Sequence, residues 1–205
     1  MSRLKRVSRL NQVPGIGVDR MGNAADAAND PSILRLENLD TDILPPLSAI
    51  EATREAVGRD ENNSYLPFFG QEALRKSAAA HVSRMSGIGY DWKSQCIISA
   101  GGLSGILNTL LAIIEPGDEV IVTDPIYAGL INRIRIAGGI PRFAKLIPSV
   151  EGWRLDLQSL RESVSDRTKA VLMMSPSMPT GHVLTAAEWE AVSSICLETD
   201  VWLHL

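Results

Sequence analysis

Short apolar runs and longer amphipathic stretches take turns along the second half of the chain. Cys96 to Ser99, Glu119 to Thr123, Ile140 to Lys145, Thr168 to Met174 and Val201 to Leu205 are nearly continuous in apolar residues. Runs of this length, rich in Ile and Val, read as buried strands. Between them apolar residues fall at helical spacing. Leu107, Leu110, Leu111 and Ile114 mark a helix after Gly102; further helices are predicted from Pro125 through Ile136, over Leu155 to Val164 and over Thr185 to Glu198. Strands that alternate with helices and are apolar on both sides predict an α/β fold. Its expected form is three-layered, a mainly parallel sheet with helices on both faces. Crossovers in such a sheet are right-handed, and its ligands sit beyond the carboxyl ends of the strands.

The first hundred residues carry a weaker pattern. Met1 to about Pro31 is polar and without a clear period, and reads as an N-terminal arm (1–31) ahead of a domain at 32–205. Ile33 to Asn38 is predicted as a short extended segment. Pro45-Pro46 opens a helix running through Val57, with Pro46 near its first turn. Asp60 to Phe69 reads as a loop. Gly70 to Met85 reads as a helix with Leu74, Ala78 and Val82 on one face.

Composition narrows the function. The 205 residues are 45% hydrophobic with a net charge of −4, which favours neither nucleic acid nor an acidic membrane surface as partner. No apolar run reaches the roughly 20 residues of a membrane helix. Cys96 and Cys196 stand in apolar segments away from any metal-ligand spacing, so they read as free thiols in a reducing, cytoplasmic setting, and no metal site is expected. Arg3, Lys5, Arg6 and Arg9 make the arm basic, short of the amphipathic length of a targeting segment. Gly15-Ile16-Gly17 is not a dinucleotide fingerprint, because the third glycine is Gly22 and no strand precedes it.

Three turns fall at predicted strand ends. Gly101-Gly102-Leu103 joins the Cys96 strand to the following helix, where backbone N–H groups and the helix dipole can hold a phosphate. The same glycines could instead serve tight helix–sheet packing. Asp124-Pro125-Ile126-Tyr127 follows the second strand, and Ser175-Pro176-Ser177-Met178-Pro179-Thr180-Gly181 the fourth.

These turns stand in one order with two further motifs, Tyr65-Leu66-Pro67-Phe68-Phe69-Gly70-Gln71-Glu72-Ala73-Leu74-Arg75 and Pro116-Gly117-Asp118-Glu119-Val120. The ordered set resembles the amino-terminal half of class I/II aminotransferases, fold-type I pyridoxal-phosphate enzymes, over about Leu36 to Leu205. The resemblance implies amino transfer from an amino acid to a 2-oxo acid, pyridoxal 5'-phosphate as cofactor, and a homodimer. It also implies roles at matching positions. Gly102 and Leu103 would hold the cofactor phosphate through backbone amides, with Gly101 in the same cofactor-binding turn. Tyr127 would stack on the pyridine ring. Tyr65 would reach the phosphate in the neighbouring subunit. Ser175 and Met178 stand where relatives usually carry Asn, and the second Asn bonds the pyridine hydroxyl oxygen. Met178 offers only a thioether. Either another donor replaces it or the cofactor electronics are altered. Leu39 matches a position where relatives often have a glycine near the substrate carboxylate.

The family's cofactor-linking lysine, its carboxylate-binding arginine and the aspartate that pairs with the pyridine nitrogen match no residue up to Leu205. The chain ends inside a predicted core strand, so the expectation is a truncated form, inactive by itself, with no catalytic residue of its own. Three other readings stay open. One is a non-catalytic or partner-binding remnant, and another a lyase or cyclase on the same fold. The third is a nucleotide-binding module, disfavoured because no Gly-Lys-Ser/Thr follows the turn.

Overall fold

The structure, a computed structural model, describes residues 7–37 and 41–205. Leu39 and the basic positions Arg3, Lys5 and Arg6 lie outside them. The chain divides into two compact units. One joins the described residues up to Ile16 with Gly101–Leu205; the other is Gly17–Ala100.

In the first unit five strands, among the described residues, form one sheet in the order β3-β2-β1-β4-β5. They are β1 (Glu119–Asp124), β2 (Ile140–Ser149), β3 (Gly152–Leu155), β4 (Thr168–Leu172) and β5 (Trp202–His204). β1 pairs with β2 and β4 in parallel, and β4 with β5 in parallel, while β2 and β3 form an antiparallel hairpin. The mainly parallel sheet is therefore as expected, and the hairpin is an addition. β3 escapes a pattern reading because it holds only Trp153 and Leu155 as apolar positions, directly before a helix.

Four helices cover the sheet: α4 (Gly102–Ile113), α5 (Ala128–Ile136), α6 (Leu157–Glu162) and α7 (Ala186–Thr199). Side chains alternate across a strand, and the alternation sorts the core in two. Val120, Val122, Ala170 and Leu172 pack with Leu110 of α4 and Leu130 and Ile134 of α5. Ile121, Val171, Ala144 and Leu146 pack with Leu160 of α6 and Val192 and Ile195 of α7. β1 is central, with Val120, Ile121 and Val122 fully buried. Among the described residues the first half of β2 has no strand beyond it, and α6 packs along that edge. Ser163 Oγ donates to the Phe143 carbonyl at 2.9 Å, and Lys145 N donates to Ser159 Oγ at 3.1 Å. At the amino end of the sheet Glu119, 1% exposed, is bound by Ser165 Oγ at 2.7 Å and Arg167 at 2.6 Å. The serine bond, with the Arg167 and Arg142 charges, outweighs burial and holds this carboxyl below the usual glutamate range.

The arm is more structured than its pattern suggests. Ser8–Gln12 is a 3-10 turn that docks on α5: Arg135 donates to the Gln12 carbonyl at 2.9 Å and Asn132 to the Pro14 carbonyl at 3.2 Å.

The second unit holds α1 (Gly17–Ala28), α2 (Leu47–Val57) and α3 (Glu72–Ser86). α1 buries no residue. Its apolar face, Val18, Met21, Ala25 and Ala28, is made mostly of small residues among Gly, Asn and Asp, so the signal is weak against the polar arm. Arg75 of α3 organises this unit. It is 7% exposed, donates to the carbonyls of Cys96, Trp92 and Lys93 at 2.8 Å each, and lies over the rings of Phe69 and Trp92. The predicted strand at Cys96 to Ser99 does not form. A strand needs a ladder partner, and here Ile98 N bonds to the Phe69 carbonyl, at 3.0 Å, which belongs to no strand. Among the described residues no helix is long and apolar enough to cross a membrane.

Candidate functional site

The site grows from the way α4 meets β1. α4 leads through Glu115-Pro116-Gly117-Asp118 into the amino end of β1 and packs on the same core cluster. Twelve helical residues span about 18 Å and six strand residues about 20 Å. The start of α4 is thus level with the carboxyl end of β1. There Leu103, Ile126, Tyr127 and Met174 all pack against one cluster. Gly101-Gly102-Leu103, the turn after β1 and the loop after β4 therefore meet at one end of the sheet.

Gly101 caps α4 with φ 88° and ψ 160°, a conformation essentially confined to glycine. An added Cβ at Gly101 or Gly102 would meet nothing within 4 Å, so open space lies above both. The first amides of a helix have no intrahelical acceptor. No acidic side chain stands in the first turn to compete for them. Such a start suits an anion.

Tyr127 is the residue before α5, and its ring lies directly over Gly129, where any Cβ would run into it. Gly129 is buried, so the glycine gives the ring its place. The pattern singles out Tyr127 but not Gly129.

The loop after β4 is a narrow ladder. Leu184 N donates to Ser175 Oγ at 3.0 Å, Ser177 N to the His182 carbonyl at 2.8 Å, and Gly181 N to the Ser177 carbonyl at 2.7 Å. Ser175 thus serves the base of its own loop. Met178 stands at the tip, 37% exposed, and the Ser177 hydroxyl is buried without a partner. The Asp124–Pro125, Ser175–Pro176 and Met178–Pro179 peptides are cis.

Behind the loop lies a junction that sequence reasoning passes over. Glu188, on the first turn of α7, accepts from Leu155 N at 2.5 Å, Thr185 N at 2.7 Å and Thr185 Oγ1 at 2.9 Å. His182 Nε2 lies 3.1 Å from both of its carboxylate oxygens. Burial alone would raise this carboxyl, but the Leu155 and Thr185 donors and the His182 ring hold it below the usual glutamate range. Part of this was readable: Thr185-Ala186-Ala187-Glu188 is a capping box, and both of its bonds are present. Nothing in the pattern announces His182.

Tyr65 belongs to the second unit and is 92% exposed. Two surface cavities lie elsewhere. One of about 350 Å³ is lined by residues including Arg142, Phe143, Lys145 and Glu162. Another of about 550 Å³ lies between α7 and β5, beside Cys196 and Trp202. Neither includes Gly102, Tyr127 or the loop after β4.

Comparison with known proteins bears on the family and the fold. The family model "Aminotransferase class I and II" matches residues 34–205. The aspartate aminotransferase of Streptomyces avermitilis is 31% identical over 198 residues, 97% of this chain and 48% of that protein. A probable aspartate aminotransferase of Streptomyces griseus is 30% identical over 198 residues, 97% of this chain and 91% of that protein. The solved N-succinyldiaminopimelate aminotransferase of Mycobacterium tuberculosis superposes with a TM-score of 0.88 at 28% identity, over 97% of this chain and 51% of that one. The chain thus spans about half the length of the Streptomyces avermitilis enzyme and of the solved mycobacterial structure.

Proposed function

Because the chain belongs to the class I and II aminotransferase family, we propose that residues 101–205 hold pyridoxal phosphate. The enzyme they serve transfers an amino group from an amino acid to a 2-oxo acid. The observation that carries this reading is the meeting of the open glycine start of α4, the Tyr127 ring and the loop after β4 at one end of the sheet. The donor set suits the group in two of three respects. The start of α4 offers main-chain N–H groups to a phosphate, and the Tyr127 ring offers a face to the pyridine. The Met178 sulfur offers no donor to the ring oxygen.

Bound there, pyridoxal phosphate supplies an electron sink for bonds broken at an amino acid's α-carbon. The chain's own part is to bind and orient. Gly101 and Gly102 let a phosphate approach the backbone, and Leu103 presents the next amide. Tyr127, held over Gly129, fixes the plane against which a ring stacks. The Ser175–Gly181 loop limits the ring's far edge. Tyr65 serves the equivalent site of a second subunit in a homodimer.

No described lysine matches the position of the family's cofactor-linking lysine. Lys76 and Lys93 stack on Trp92 in the second unit. Lys145 lies in β2 level with Asp124, Lys169 lies near the start of β4, and Lys5 lies outside the described residues. The proposal for this chain by itself is therefore cofactor binding without turnover. The test is titration with pyridoxal phosphate, pyridoxal and inorganic phosphate, followed by borohydride. The reading expects saturable binding of pyridoxal phosphate, competition by phosphate, much weaker binding of pyridoxal, and no pyridoxyl group fixed on one lysine. Equal binding of pyridoxal and its phosphate would contradict it.

A further inference from the structure

The loop after β4 carries Pro176 and Pro179, which offer no N–H to a ladder, and Gly181 at φ 72°. Its backbone ladder ends at the Ser177–Gly181 bond, above which stand only Met178, Pro179 and Thr180. His182 sits at the foot of that tip, since its carbonyl accepts Ser177 N. Its ring is turned inward, 8% exposed, onto Glu188, which is 9% exposed.

A buried polar pair is costly unless its groups are satisfied. Here the carboxylate is satisfied from three elements: the end of β3 through Leu155, the start of α7 through Thr185, and the loop through His182. The first two fasten secondary structure. The third adds neither a cap nor a ladder bond, because Thr185 already caps α7. Its consequence falls on the loop tip.

We infer that His182, through its bond to Glu188, is a positioning residue that sets where the tip at Met178 meets the ring of a bound pyridoxyl ligand. The inference rests on the reading of the site given above. The phosphate end, made of the main chain of α4, does not depend on His182; the ring end does. The two ends are therefore separable by ligand.

The test titrates pyridoxamine phosphate, followed by its own fluorescence, and inorganic phosphate, followed by calorimetry, on the wild type, His182→Ala and His182→Gln. Glutamine can still donate to the Glu188 carboxylate. His182→Ala should weaken pyridoxamine phosphate about tenfold, the scale on which the outer supports of a site act. Inorganic phosphate should be unchanged, and His182→Gln should recover most of the loss. Hydrogen exchange should quicken at Thr180 and Gly181 in His182→Ala while the first turn of α4 keeps its rate. Equal weakening of both ligands, no weakening of either, or a glutamine no better than alanine would overturn the inference while leaving the site reading in place. A wild type that binds neither ligand would overturn the site reading, and this inference with it.

Discussion

The turn into α4 contributes backbone, whereas the loop after β4 hangs on side chains. Residues 101–105 carry no ionisable group, and what they present follows from glycine conformation and the direction of a helix. The loop tip is placed by a histidine, a glutamate and two hydroxyls from the loop and the start of α7, with a main-chain amide from β3. The first kind of site survives most side-chain changes and fails when its backbone is denied. The second fails when one carboxylate is removed.

The sharpest way to break this contrast is Glu188→Ala. It leaves the Leu155 and Thr185 amides and His182 without their buried acceptor. Denaturant unfolding should show a loss of about 3 kcal/mol. Unchanged stability would mean the junction holds nothing. Next is Gly101→Val, which forces a side chain into φ 88°, at a cost of about 2 kcal/mol. Phosphate binding should vanish while loop exchange stays at its wild-type rate. Retained phosphate affinity would show that the anion does not use this turn.

Acid separates the regions more gently. Glu188 has a lower pKa folded than unfolded, so the stability it gives is complete above the ordinary glutamate range and is lost as pH falls through the folded value. Amide exchange corrected for intrinsic rates should therefore loosen at Thr180–Leu184 on acidification before it does in the first turn of α4. The reverse order would count against the contrast. Smallest is Met178→Asn, which gives the tip a donor. One net hydrogen bond, about 1 kcal/mol, would tighten pyridoxamine phosphate roughly fivefold. No change would place residue 178 away from the ring.

Legibility in the sequence follows the same division. Helix and strand periods, the glycine turn and the Asp124–Tyr127 and Ser175–Gly181 turns are local signals, so α2 to α7 and four strands could be read within a few residues. α1 has an apolar face built mostly of alanine, too weak to stand out from the polar arm, and β3 depends on a hairpin partner. Cys96 to Ser99 has the composition of a strand but no ladder within its unit. The His182–Glu188 bond spans six residues, and the Leu155–Glu188 bond thirty-three; neither leaves a periodic trace. Arg75 was visible as part of a motif, whereas its three carbonyl acceptors, 17 to 21 residues away, were not.

The central claim is that one end of the sheet takes a phosphate on backbone and a ring between Tyr127 and the loop tip. Amide chemical-shift mapping of the isotopically labelled chain tests it directly. Inorganic phosphate should shift Gly102 and Leu103 alone, and pyridoxamine phosphate should add Tyr127 and Met178. Shifts centred instead on Arg142 and Lys145, at the basic cavity beside α6, would contradict the account.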